Sequence, residues 1–569
     1  MNPIRLISLL LAASLLIGLC FAGCEKEPAP ATDRPTVTPE SPEEIPVRMQ
    51  NGGGLSFLPE EPLSIPKLSE MVYTRPDVET LIADIEAFTE KIPGCDDAEA
   101  LLNGYYPIAV QIHQFTSMYS LSYFRYCMDT EDSYYADEYD YCDEQYAIAK
   151  EKANRLYAAL AASPFRDALE QAYFGEGFFL DYDGFNEADE NYYDLKQQEN
   201  DLLFQYYELA GTINYSNSNR IKQIHEASGK IFIELVKLRR QIAAAKGYEN
   251  YMDYSYACDF QRDYTTSQAR EYLNLVKTML APLMQNTKIA GSYSYYSNWN
   301  ASKSMDMLSA AAERMGGPIW EAFRFMSAYE LYDISNAPNK QNTGYTDYLG
   351  IYETPVIFVD PSGRDLLTTM FHEFGHYCDF YWNYCSSINY ETAETYSQAM
   401  EYLAFVYTDP FSDQERTTNL RATLSDLLVY SILLEGAYAD FELQVYALAP
   451  EELTVEGLDA IFGQCIEDYG VDVLRSARSQ SNFWSVYRHF FDYPGYVISY
   501  SDSAVAAIQI CRLEAEKSGA GVEAFCRLLN RTHGMKFAAV LEETGLDSPF
   551  EAETMEKTAE FLKDVFDMN

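Results

Sequence analysis

The chain has 569 residues, more than one hydrophobic core usually organises, so two or more packed regions are expected. Hydrophobic residues make up 47% of it, and its 48 tyrosines and 31 phenylalanines supply amphipathic rings for packing. A formal net charge of -46 repels phosphate backbones and excludes nucleic acid as a partner, because such binding neutralises phosphates with Lys and Arg.

At the N-terminus, Arg5 precedes an apolar run from Leu6 to Leu19 and then Phe21-Ala-Gly-Cys24. A basic start, a short hydrophobic stretch and small residues before a cleavage point are the pattern of an export signal. The ending resembles a bacterial lipobox, with Phe21 where Leu is usual. That resemblance implies a lipoprotein signal over residues 1–24 and a mature chain that begins at a lipidated Cys24, anchored to the bacterial membrane on its extracytoplasmic side. Residues 25–55 are rich in Pro, Glu and Thr, close on Gly52-Gly-Gly54 and cannot bury enough apolar surface to fold, so they read as a tether. No second run of about 20 apolar residues follows, and nothing else is expected to span a bilayer. Setting Cys20 and Cys24 aside leaves nine of the eleven cysteines, so at least one thiol is unpaired within the chain.

From about Pro66 to Asn339 apolar residues recur at three- and four-residue spacing, a helical period. The run Ile231-Phe-Ile-Glu-Leu-Val-Lys-Leu-Arg-Arg-Gln-Ile242 carries it best and closes at Lys246-Gly247, a C-terminal cap. Residues 56–200 form an N-terminal helical region, and the rest of the chain, 201–569, is read below as the catalytic region. Val356-Ile-Phe-Val359, bounded by Pro355 and Asp360-Pro-Ser-Gly363, reads as a strand and turn. That strand either offers a free edge to an extended peptide or lies inside the core.

Phe371-His-Glu-Phe-Gly-His376 follows. On a helix, His372 and His376 at i and i+4 face one side a turn apart and can hold one zinc ion. Glu373 then lies beside the metal, placed to take a proton from a water whose pKa zinc lowers to about 7. With only six histidines in the chain, this pattern arises by chance in roughly one such chain per hundred. A catalytic zinc needs a third protein ligand. Glu391-Thr-Ala-Glu-Thr-Tyr-Ser-Gln-Ala-Met-Glu401 opens a helix on which Glu394, Ser397 and Glu401 share a face. Glu394 can bind the metal while Glu401 accepts the second ring hydrogen of a ligand histidine, and Glu391 competes for the ligand position.

The segments 369–376 and 394–401 resemble the M3 family of zinc metallopeptidases, the thimet oligopeptidase and oligopeptidase F group, whose second motif has the form E-x-x-S-x-x-x-E. Leu235–Ala243 and Gly247–Tyr254 are similar to that family's helix pair upstream of the site. The segment from His376 to Glu394 is several residues shorter than is usual there. The resemblance implies a mainly α fold of two helical halves flanking a deep substrate channel, with a small β element beside the H-E-x-x-H helix. It also implies one zinc held by His372, His376 and Glu394. In Trp484–Tyr500, His489 followed by tyrosines is similar to the family's C-terminal segment, which implies oxyanion-stabilising or substrate-positioning roles for Tyr500, Tyr496 and His489.

The reading is an exported zinc endopeptidase acting on short peptides. Two alternatives stay open: a non-catalytic peptide-binding lipoprotein on the same fold, and another gluzincin acting as an exopeptidase. Neither G-x-S-x-G nor G-x-x-x-x-G-K-[ST] occurs, which removes support for serine hydrolases and P-loop enzymes.

Overall fold

A computed structural model of the protein describes residues 65–174, 178–182, 190–210, 218–285, 289, 300–362, 366–383, 390–408, 412–532 and 535–566. The signal segment with Cys24 and the tether lie outside the described residues. The N-terminal helices α1 (Val78–Thr89), α2 (Ala98–Met128) and α3 (Ser133–Ala161) begin at Asp77, Asp97 and Asp132, each of which accepts hydrogen bonds from backbone amides of its helix's first turn. They pack on one another through Leu81, Ile85, Leu101, Tyr105, Leu156 and Leu160.

After α4 (Glu190–Ala210), the long α5 (Ser218–Ala245) carries the strongly periodic run and buries Phe232, Leu235, Val236 and Ile242. It ends where Gly247 takes φ +83° and Tyr248 N donates to Ala243 O at 2.9 Å, the glycine-capped end expected from Lys246-Gly247.

A three-stranded sheet follows, of β1 (Tyr332–Asp333), β2 (Gly344–Leu349) and β3 (Thr354–Val359), ordered β1-β3-β2. The strand expected at Val356–Val359 is β3, and it is the central strand: it pairs parallel with β1 and antiparallel with β2. The free-edge alternative for these residues is therefore corrected; their unbroken apolar run reflects burial on both faces, and the edge strand beside the motif helix is β2. Pro355 is tolerated inside β3 because Ile357 N donates to Leu331 O, so position 355 turns its missing N–H to the same side, where β1 pairs only with Ile357 and Phe358.

The motif helix α6 (Leu366–Asn383) leaves this sheet and packs along α7 (Tyr390–Tyr407). From Glu391 to Phe405 every residue of α7 except Ala393 is buried, which marks it as the central helix of the molecule. It lies between α6 and α9 (Ile498–Glu516), with α8 (Glu435–Val445) and α10 (Ala520–Leu529) packed on α9. On the opposite side, α2 rests on β2. The fold is thus mainly helical, two helical halves about a channel with a small sheet beside the motif helix. No described helix is long and apolar enough to cross a membrane. All eight described cysteines are free thiols, Cys378 of the motif helix among them.

Candidate metal centre and active site

Two helices set the site, and a glycine sets their spacing. A Cβ placed on Gly375 would stand 2.6 Å from both Ser397 Cα and Tyr396 O, so only glycine lets α6 and α7 approach this closely. Behind the contact, Arg531 Nη1 donates to Asp379 Oδ1 at 2.8 Å and to the Tyr396 hydroxyl at 2.5 Å, bracing α6 to α7. No local pattern in the sequence announced this brace, since Arg531 lies far downstream of both helices.

At the front of the contact, His372, His376 and Glu394 bring their ligand atoms within 4.8 Å of one another. His372 Nε2 is 3.6 Å and His376 Nε2 3.8 Å from Glu394 Oε2. A tetrahedral zinc with bonds of about 2 Å sets its donors about 3.3 Å apart, so the two histidine-to-glutamate separations come near that spacing and the three donors would draw together around such an ion. The histidine side chains are mostly buried and keep 27% and 15% of their surface exposed. Ser397 Oγ donates to Glu394 Oε2 at 3.0 Å, holding the carboxylate. Glu401 Oε1 lies 2.8 Å from His372 Nδ1, which leaves His372 Nε2 for a ligand.

Glu391, the competing ligand, is turned away and engaged elsewhere. Its Oε1 accepts from Arg262 Nε at 2.5 Å, from the Tyr264 hydroxyl at 3.0 Å and from Ser499 Oγ at 3.0 Å. Arg262 also donates to Gly495 O at 2.8 Å and Ser499 Oγ at 2.7 Å, which ties the start of α7 to the segment carrying the tyrosines. Sequence reasoning gave Arg262 no part.

Electrostatics follow from burial. For His372, burial lowers the imidazole, but the hydrogen bond to Glu401 and the nearby carboxylates outweigh it and raise the group to about 10. His376 is held well below the ordinary imidazole range by burial and by the adjacent His372. Burial raises Glu394 and pushes Glu373 up to about 7. Positive charge sits on His372 where a cation would take its place, and a metal entering this site displaces that proton.

Tyr496 reaches Glu394 Oε1 with its hydroxyl at 3.4 Å, and the Tyr496 and Tyr500 ring centroids are 5.1 Å apart. Burial raises both hydroxyls, so they remain protonated donors. His489 lies between two rings, with centroid distances of 4.9 Å to Tyr487 and 5.4 Å to Tyr496. Burial, then Arg488 and Arg478, lower it to about 4, so it is neutral. Gly495 takes φ +94°, the turn that delivers Tyr496 to this wall. Of the remaining histidines, His225 is a packing residue bonded to Ser485 and Asp459, and His533 lies outside the described residues.

Comparison with known proteins adds the family. The family model described as the peptidase M3 N-terminal domain matches residues 68–184, and that described as peptidase family M3 matches residues 319–560. Among curated proteins, none matches the chain. Among solved structures, PZ peptidase A with an inhibitor is 21% identical, superposes at a TM-score of 0.74, and the match covers 88% of this chain and 99% of that one. Two proteins assigned as oligoendopeptidase F share the fold as well. One is 22% identical at a TM-score of 0.74, with 89% and 99% covered. The other, from Bacillus anthracis strain Ames, is 20% identical at 0.71, again with 89% and 99% covered. These structural likenesses show the fold, and the two family models together span well over half of the sequence, on which ground the chain belongs to peptidase family M3, a family of metallopeptidases.

Proposed function

We propose that this chain is a zinc-dependent endopeptidase of short peptides, exported and held at the bacterial membrane through a lipidated Cys24. The observation that carries the reading is the convergence of His372, His376 and Glu394, from α6 and α7, next to Glu373. These three side chains would hold one zinc ion, which when bound lowers the pKa of a water towards neutrality and polarises a peptide carbonyl.

Glu373 accepts the proton of the attacking water and returns it to the departing amine. Burial raises the Glu373 carboxyl to about 7 even with the charge of His372 beside it, and a dication held at the site would lower it further, so that the carboxylate is ionised and able to accept at neutral pH. Glu401 keeps the His372 ring in orientation through Nδ1. Tyr496 and Tyr500 present protonated hydroxyls to the oxyanion as it develops, a contribution of about 3 kcal/mol for each well-aimed donor. His489, neutral and clamped between rings, positions the substrate next to them. The free edge of β2, beside Glu373, takes the peptide as an added strand, with its backbone amides and carbonyls as the recognised groups. A channel between helical halves admits extended peptides and excludes folded proteins.

Endopeptidase action is tested with peptides acetylated at one end and amidated at the other. They are expected to be cleaved at rates similar to those with free ends, and a requirement for a free terminus would return the exopeptidase reading. The anchor is tested by fractionation: the full chain is expected with membranes and a Cys24→Ser chain away from them, and equal partition of the two would remove the lipid from the account.

A further inference from the structure

We propose that Thr346 is a positioning residue that holds the carboxylate of Glu373 for proton transfer; this rests on the reading of Glu373 as the base. Thr346 lies on the edge strand β2, and its Oγ1 is 2.9 Å from both the main-chain oxygen and Oε2 of Glu373. One hydroxyl proton is shared between these two acceptors, so the side chain of Glu373 is tied to its own backbone through a residue on another element. That leaves Oε1 as the oxygen free to handle the proton.

The same strand face shapes the space around Oε1. Side chains alternate along a strand, so residues 344 and 346 point to the same side. Position 344 is glycine, and a Cβ there would stand 3.4 Å from Glu373 Oε1 and 2.6 Å from Thr369 Cγ2. Glycine keeps the approach to Oε1 open, while threonine two residues on fixes Oε2. The register that sets this is firm: Gly344 pairs with Val359 and Thr346 with Ile357, and Asp360 N donates to Thr343 O at 2.9 Å at the strand's start.

Glu373 is 5% exposed, so few waters compete for the bond. A glutamate otherwise samples several rotamers, and a shift of about 1 Å in a reacting group costs up to about a hundredfold in rate. Because a peptide would add to the outer edge of β2, substrate binding and orientation of the base share one strand, and ordering that strand orders both.

The test is steady-state cleavage of a quenched fluorescent peptide by zinc-loaded parent, Thr346→Val, Thr346→Ser and Glu373→Gln proteins, with zinc content measured on each. Thr346→Val keeps the shape and loses the hydroxyl. It is expected to lower kcat about tenfold, to leave KM within about twofold and to keep its zinc, while Thr346→Ser returns kcat to near the parent. Parent-like kcat in Thr346→Val with an inactive Glu373→Gln would overturn the role of Thr346 and leave the base in place. Parent-like kcat in Glu373→Gln would overturn the base itself. Loss of zinc in Thr346→Val, or a deficit that serine does not restore, would reduce Thr346 to packing and overturn the proposal.

Discussion

A Gly375→Ala protein is expected to lose its zinc and, with it, peptide cleavage. Judged by helix propensity alone, the change stabilises α6 by about 1 kcal/mol. The contact decides otherwise, because the new methyl would lie 2.6 Å from Ser397 Cα, 2.6 Å from Tyr396 O and 2.9 Å from Ser397 N, all of them backbone atoms that cannot rotate aside. Relief requires α6 and α7 to part, at an overpacking cost of about 1–3 kcal/mol that cancels or exceeds the propensity gain. The larger effect is on the metal. Ser397 holds the carboxylate of Glu394 and sits at the point of contact, so separation carries Glu394 away from both histidines. Metal–ligand distances in a formed zinc site hold to within about 0.2 Å, so helices that are kept apart cannot bring all three donors onto one ion. Metal analysis after dialysis is expected to find less than a tenth of the parent's zinc, with the helical circular dichroism signal retained; zinc at the parent level would mean that the two helices accommodate the methyl.

Replacing Glu373 by Gln is expected to lower kcat by about a thousandfold, within the range typical of lost acid–base catalysis. The amide has nearly the shape of the carboxylate and can still meet Thr346, but it cannot accept the water's proton. Glu373 is not among the three clustered ligand atoms, so zinc binding is expected to persist. The metal-free proteins should show a second difference. Burial pushes the carboxyl up to about 7 in the folded chain against an ordinary value of 4.5, so its favourable contribution is complete below about 4.5 and is lost as the pH rises through 7. Metal-free Glu373→Gln is therefore expected to melt above the metal-free parent at pH 8, with the gap closing towards pH 4. A parent more stable than the variant at pH 8 would contradict the burial cost assigned to this base.

Much of the site was legible because its chemistry lies in local patterns. His372 and His376 are one helical turn apart, and Glu394, Ser397 and Glu401 follow the three-and-four spacing that places them on one face, so helical geometry alone brings each set together. Four features were not legible in this way. Glu391 and Glu394 differ by a single turn, and what turns Glu391 away is Arg262, a partner 129 residues earlier in the chain that no window of sequence connects to it. The edge strand β2, Gly-Tyr-Thr-Asp-Tyr-Leu, lacks the β-branched run that announces a strand, whereas β3 has it because both of its faces are buried. A reading by apolar content thus finds the central strand and misses the edge strand. Thr346 was hidden for the same reason, since its role follows from register and not from its neighbours. The close contact at Gly375 was present in the sequence only as a glycine inside a helix, a residue whose cost in propensity signals a packing reason without naming it.

Zinc content measured together with cleavage of a quenched fluorescent peptide library, on the chain lacking residues 1–24 and on its Glu373→Gln variant, is the most direct measurement. One zinc per chain in both proteins, with cleavage by the parent alone, is the predicted result. Zinc in both without cleavage by either would contradict the peptidase and leave a metal-bearing peptide-binding protein.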